Sequence, residues 1–378
     1  MNFTFSEEQE MLRASARDLM SKRYPPERVA EIGDGDGFDR SEWSAIAELG
    51  WTGISVSEEE GGAGLGFLEE MVLTEELGRA LYPGPYFSSI VLALPVLAAA
   101  NAWGLASGVI RGERIATLAW AGPDGRFDLD PAPKLSWEGG GLGGERLFVP
   151  DLGVADLLVI VGSHADGLGV WALDRDVAGV FWRELATVDS TRRMGEVILE
   201  SAPATMLETP PEGFLERLRD RALAALAVEA VGVASAALEL GIEHAQGRQQ
   251  FGRSIGTFQA VSHSLAQGFV EVETARSLAY WAGWAVSENA PEAATAAAAA
   301  KARAAEAAVS VCERAIQAHG GIGFTWEHPL HRSYKRALGI AATFGWGTEL
   351  RARVAADLVA GGEPSDRESA GPAPTIEA

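Results

Sequence analysis

From Pro291 to Val311 the chain reads PEAATAAAAAKARAAEAAVSV. Alanine is the strongest helix former, and its small side chain lets a neighbouring helix approach closely. The run therefore predicts one long member of a helical bundle. It is one of four long amphipathic stretches after Pro211, covering roughly Gly213 to Arg248, Gly256 to Ser287, Pro291 to His319 and His328 to Ala360. Their connections are short, which predicts antiparallel neighbours.

Ahead of this bundle the chain has two other textures. SEEQEMLRASARDLMSKRY places apolar residues at helical spacing behind a Ser6 cap and an acidic first turn. Leu68 to Leu81 and Ser88 to Asn101 read as further helices on either side of a YPGP breaker. Between Gly112 and Leu207 come the short runs RIATLAW, DLLVIVG, GVFWREL and GEVILES, separated by Gly, Pro and Asp, and these predict an antiparallel sheet or small barrel. The fold class is α+β. Domains are expected at residues 1–110 (helical), 111–210 (β) and 211–360 (four-helix bundle), followed by a disordered tail, 361–378, too poor in apolar residues to dock.

The chain has 378 residues, more than one domain usually holds, and a net charge of −22, which argues against nucleic acid as a partner. No uncharged apolar run of about 18 residues marks a membrane span, and the N-terminus lacks the basic and apolar regions of a secretion signal. A cytoplasmic location is expected. The single cysteine, Cys312, cannot form an internal disulfide and reads as a small buried apolar residue. No set of Cys and His has zinc-site spacing, so no metal is expected.

Two clusters carry candidate chemistry. GRQQFGRSIGTFQAVSH, Gly247 to His263, closes one helix at Arg248, turns through Gly252 and Gly256, and starts the next helix at Phe258 and Gln259. A guanidinium beside a helix start suits a phosphate, although a plain helix connection uses the same residues. QAHGGIGFTWEHP, Gln317 to Pro329, follows a helix and not a strand, which excludes the dinucleotide fingerprint. Alone it reads as a helix C-cap, with close approach of a ligand to its glycines as the other reading.

Together, RxxFG…FQ followed two helices later by QxxGGxG resembles the acyl-CoA dehydrogenase family of flavoproteins. The residues here are Arg248, Phe251, Gly252, Phe258, Gln259, Gln317, Gly320, Gly321 and Gly323. AELGWTGISVSEEEGGAGLG and VLTEELGRALYPGP resemble the family's N-terminal domain, and ERLFVPDLGVADLLVIVG resembles its middle domain, so the resemblance runs from Phe3 to about Val359. It implies N-terminal helices, a middle antiparallel β-barrel and a C-terminal four-helix bundle, assembled as a tetramer with FAD between subunits. By carry-over, Arg248, Gln250, Phe251, Ile255, Phe258 and Gln259 line the adenine and diphosphate half of a flavin. Gln317, Gly320 and Gly321 approach the ADP half of a flavin held mainly by the neighbouring subunit. The resemblance also implies an acyl-CoA substrate and an acceptor of the electron-transfer-flavoprotein kind.

The family's reaction removes an α-proton and a β-hydride, so a Glu must face the α-carbon across the flavin ring. In the segment matching the family's Tyr-Glu-Gly-Thr, Phe344 stands for the Tyr and Gly345 for the Glu. The family's second base position falls on Ala222, followed by Leu223. The nearby acids are Asp220, Glu229 and Glu349. Glu349 is the candidate for a displaced base, about one helical turn or 5.4 Å away. A surface carboxylate at a helix start, beside a Thr348 cap, is the other reading of it. The ring-holding Thr-Glu-Pro-x-x-Gly-Ser-Asp segment reads ATLAWAGPDGRFD, with Thr117 as its remnant.

Two functions follow from these departures. The favoured one is a subunit lacking the usual base, similar to those of heteromeric actinobacterial dehydrogenases of steroid side-chain degradation, which completes the ADP site of its partner's flavin. The alternative is a self-sufficient homo-oligomeric dehydrogenase using Glu349. Loss of a general base costs about 10²–10⁴-fold, which favours the first. His319, His328 and His331 near the glycines read as caps or packing, and the eleven Trp, Trp281 and Trp284 among them, as core and subunit packing.

Overall fold

The computed structural model describes residues 5–35, 38, 40–127, 132–165 and 167–360; the tail expected to be disordered, 361–378, lies outside the described residues. Six helices come first: α1 (Glu7–Arg23), α2 (Pro26–Asp34), α3 (Arg40–Glu48), α4 (Phe67–Arg79), α5 (Leu94–Ala99) and α6 (Trp103–Ile110). Ser6 caps α1 as its sequence predicts. Its Oγ accepts from the Gln9 amide at 3.2 Å while Gln9 Oε1 accepts from the Ser6 amide at 3.0 Å. The helix expected from Ser88 begins instead as a buried π-helical segment, Phe87–Ala93, which runs into α5. Pro95 cannot donate the hydrogen bond a regular helix needs there, and the preceding turn is wound wider.

The middle strands are β1 (Ala116–Ala119), β2 (Ser136–Glu138), β3 (Gly141–Pro150), β4 (Leu157–His164), β5 (Gly167–Asp174), β6 (Val180–Leu185), β7 (Met194–Pro203) and β8 (Thr205–Met206). They form two four-stranded sheets, in the orders β1-β4-β5-β8 and β2-β3-β7-β6. Every pair is antiparallel except β1 with β4, which run parallel, so the sheet is mixed where antiparallel pairing was expected. The fully buried Arg146 of β3 reaches across to the other sheet and donates to the Val161 carbonyl at 2.8 Å.

The bundle consists of α7 (Phe214–Gly247), α8 (Gln259–Ser287), α9 (Ala293–His319), α10 (Leu330–Ala342) and α11 (Gly347–Ala360), with a two-strand hairpin, β9 (Gln249–Gln250) and β10 (Arg253–Ser254), between α7 and α8. The last stretch, expected as one helix from His328 to Ala360, is two. Phe344 at φ 56° and Gly345 at φ 102° leave the right-handed helical region and force the break. By length and composition α7 is apolar enough to cross a membrane, but 83% of its apolar window is buried inside the fold. It is the core helix, with the alanines of α9 packed on it. It also crosses α4 backbone to backbone: a Cβ on Gly232 would sit 2.0 Å from the Glu75 carbonyl oxygen.

Arg336 of α10 joins all three regions. It is fully buried and donates to Asp189 at 2.6 Å, to Glu229 of α7 at 2.7 Å, to Thr191 Oγ1 at 2.8 Å and to the Tyr82 carbonyl at 3.3 Å. Burial opposes its charge, but Asp189 and Glu229 overcome that cost and hold its protonation above the ordinary arginine value. Glu229 takes a second arginine, Arg192, at 2.6 Å.

Candidate functional site

The two motif clusters meet at one end of the bundle. α7 ends at Gly247 and α9 at His319, and the rings of His244 and His319 stack 4.1 Å apart, which holds the two helix ends together. Beyond α7 the hairpin pairs Gln249 with Ser254 and Gln250 with Arg253 and turns through Phe251 at φ 53° and Gly252 at φ 79°. Two residues at positive φ make the tight turn whose twist matches its strands. They also push Phe251 outward, where it is 90% exposed. Phe258 meets Phe251 edge to face at 6.2 Å and lies under the Arg253 guanidinium at 4.1 Å. Arg248, Gln250, Gln259 and Gln317 are exposed, and Ile255 is half-buried against the core.

Gly320 adopts φ 66°, a conformation that strains any side chain, and no atom lies within 4 Å of a Cβ built on Gly320 or Gly321. The Gly320 amide itself caps α9, donating to the Ile316 and Gln317 carbonyls, while the space above the two glycine Cα atoms is open. With the exposed Arg248 guanidinium at the same end of the bundle, an anion would find a positive charge and room to approach the backbone.

The other predicted residues lie at the far end of α10, about 20 Å away along thirteen residues of helix. There the turn between α10 and α11 packs on the β region. Phe344, buried, stacks on Phe127 at 4.3 Å and 24°, and meets Trp120 edge to face at 5.6 Å. Thr117 is fully buried and its hydroxyl donates to the Pro150 carbonyl at 2.6 Å. The Gly345 carbonyl accepts from Lys301, which also donates to the Ala341 carbonyl at 2.9 Å. Burial pulls the Lys301 ammonium down to about 7, with the Glu349 charge in partial opposition.

None of the acids considered from sequence is both free and enclosed. Ala222 and Leu223 are fully buried in α7. Asp220 is paired with Arg353 at 3.0 Å, and Glu229 is held by Arg336 and Arg192. Glu349 is exposed and accepts from the Trp346 amide at 2.9 Å, so it caps α11, the role its sequence neighbourhood gave to Thr348. The same Oε2 lies 3.3 Å from the position of a Cβ on Gly345.

The acyl-CoA dehydrogenase N-terminal domain profile matches residues 6–103, and the C-terminal domain profile matches residues 219–358. Acyl-CoA dehydrogenase IpdE2 of Mycobacterium tuberculosis is 32% identical over 89% of this chain and 92% of its own length. This chain belongs to the acyl-CoA dehydrogenase family. The family's members are oxidoreductases acting on CH–CH groups. Among solved structures, the Tcur3481-Tcur3483 steroid acyl-CoA dehydrogenase is similar at 32% identity and TM-score 0.83, covering 94% of this chain and 98% of that one. The ChsE4-ChsE5 complex of Mycobacterium tuberculosis is similar at 28% identity and TM-score 0.85, covering 97% and 100%.

An acyl-CoA dehydrogenase of this family is a flavoprotein, and the two ends of α10 fit a flavin unequally. The open glycines and Arg248 suit a diphosphate. At the other end Trp120, Phe127 and Phe344 pack on one another, and the Thr117 hydroxyl is donated to a backbone carbonyl. Sequence reasoning missed these aromatics because nothing local marks residues that meet only after folding. It also passed over His244, in the last turn of α7 and four residues before Arg248. Lys301 shares the alanine run with Arg303 and Glu306, and nothing local marks it as the buried donor.

Proposed function

We propose that this chain is the base-lacking subunit of a heteromeric acyl-CoA dehydrogenase, and that it completes the ADP half of the flavin bound mainly by its partner subunit. The observation that carries this reading is the closed turn at Phe344 and Gly345. Gly345, the position matched to the family's base, has no side chain of its own, and Phe344 beside it is stacked on Phe127 and Trp120. Arg248, Gln250, Phe251, Ile255, Phe258, Gln259, Gln317, Gly320 and Gly321 hold the adenine and diphosphate from the open end of the bundle. FAD there supplies the hydride acceptor for α,β-dehydrogenation of an acyl-CoA thioester, and the partner supplies the base.

The apolar surface supports an assembly. Ile322, Phe324 and Trp326 around the glycines are more than half exposed, a patch that a second subunit would cover. The steroid dehydrogenase and the two-protein complex among its relatives support a steroid acyl thioester as substrate and a heterotetramer as the assembly. Electron transfer flavoprotein is the acceptor class we expect.

The second reading, a self-sufficient homo-oligomer with Glu349 as the base, has one observation in its favour: the Glu349 carboxylate lies beside the Gly345 Cα, where the missing side chain would begin. One experiment separates the two. The chain is purified alone and with candidate partner subunits, and FAD per subunit and bleaching by acyl-CoA are measured. We expect flavin and bleaching in the co-purified assembly; stoichiometric flavin reduced by the isolated chain would sink the partner-subunit reading.

A further inference from the structure

His319 is the centre of a three-ring stack. His244 of α7 lies 4.1 Å from it on one side and His328, in the turn before α10, lies 4.4 Å from it on the other. All three are half-buried at the end of the bundle that carries Arg248 and the open glycines. The stack is not a metal site: among the described residues no group of His, Cys, Asp or Glu converges as metal ligands do. Hydrogen bonds fix two of the rings. His319 Nδ1 lies 2.8 Å from the Ala315 carbonyl, so it carries the proton and Nε2 keeps the lone pair. His328 Nδ1 accepts from the Leu330 amide at 3.3 Å, which leaves its Nε2–H as a donor.

We propose that His244, His319 and His328, together with Arg248, form a proton-linked binding site for the diphosphate of a dinucleotide. This rests on the reading of that end of the bundle as the ADP half of a flavin site and adds its regulation by pH. The physical basis is charge crowding. Rings about 4 Å apart cannot all be protonated without an anion between or beside them.

The surrounding charges reinforce this. His244 faces His319 and Arg248; His328 faces His319, His244 and His331. His331 in turn faces Arg332, Lys335 and Asp34, and Asp34 is already paired with Arg332 at 2.5 Å. Glu327 in the same turn is exposed and bonds Thr325. Burial and then the neighbouring histidines, with Arg248 added at His244, hold His244 and His328 below the ordinary imidazole value in the free chain. A diphosphate reverses the balance, so its binding takes up protons and tightens as pH falls.

The probe is ADP-ribose, whose bridging diphosphate does not titrate between pH 6 and 8 and which lacks the flavin ring. Binding to the isolated full chain is measured by calorimetry at both pH values, in buffers of differing ionisation enthalpy. We expect affinity about tenfold tighter at pH 6, with net proton uptake of about one. A His319→Asn, His328→Asn double variant, checked for folding by circular dichroism, should lose both the slope and the proton uptake. Arg248→Gln should weaken binding at both pH values and keep the slope. The proposal is overturned if the double variant keeps the slope, if ADP-ribose fails to bind at pH 6, or if sulfate binds as tightly as ADP-ribose. A pH-independent affinity that Arg248→Gln still weakens ends the imidazole site and leaves the partner-subunit reading intact; that reading stands or falls on flavin content and bleaching.

Discussion

Phe127 and Phe344 stack with their ring centroids 4.3 Å apart and their planes 24° from parallel, one from the β region and one from the turn between two bundle helices. This contact ties the turn to the β region, and it makes Phe344 a structural residue. Replacing a buried phenylalanine with alanine removes its transfer free energy and leaves a cavity. Phe344→Ala should destabilise the chain by about 3–5 kcal/mol in urea unfolding. A change under about 1 kcal/mol would mean that the stack does not hold the regions together.

Arg336 is the buried cation on which Asp189 and Glu229 converge. Removing it leaves buried Asp189 without an ionic partner and Glu229 with Arg192 alone. Arg336→Leu should cost about 3–5 kcal/mol, read as a fall in the denaturation midpoint. The double change Arg336→Leu, Glu229→Leu should recover part of that loss.

Lys301 sets a pH dependence whose sign is definite. In the folded chain its ammonium loses its proton near pH 7, whereas the unfolded chain keeps the ordinary value of 10.5. Across that window the unfolded chain binds more protons, so this residue makes stability rise with pH, by up to about 1.4 kcal/mol per unit. Denaturation at pH 7 and pH 9 should show that rise in the wild type and a smaller one in Lys301→Met. Equal rises would show that the ammonium is not enclosed as described.

Arg248 is exposed, so its removal should spare the fold. In the assembly, Arg248→Gln should weaken flavin retention about 10–100-fold, the worth of a hydrogen bond to a charged group. Retention is measured by dialysis and absorbance. Unchanged retention would remove Arg248 from the diphosphate site.

Glu349→Gln distinguishes cap from base. As a cap it contributes about 1 kcal/mol or less, and turnover of the assembly should be unchanged. A loss of about 10²-fold or more with KM unaltered would establish it as the displaced base.

The glycine turn after α9, the helical bundle and the family were legible from residue order, because helix propensity, cap chemistry and motif spacing are local properties. Ser6 capping α1 is of this kind, and so is the chain's lack of a carboxylate at Gly345. Where local rules compete, the sequence was less reliable. It joined α10 to α11 across a turn that only Phe344 and Gly345 break, and it allotted to Thr348 a cap that Glu349 makes.

By itself, then, the sequence determined where most of the helices form and which family the chain joins. Tertiary structure decided that Trp120, Phe127 and Phe344 pack on one another, that Arg336 ties the three regions together, and that His244, His319 and His328 stack at one end of the bundle. These contacts join residues from distant parts of the chain, and their energies come from burial and from charges brought within a few ångströms. Neither exists until the chain has folded.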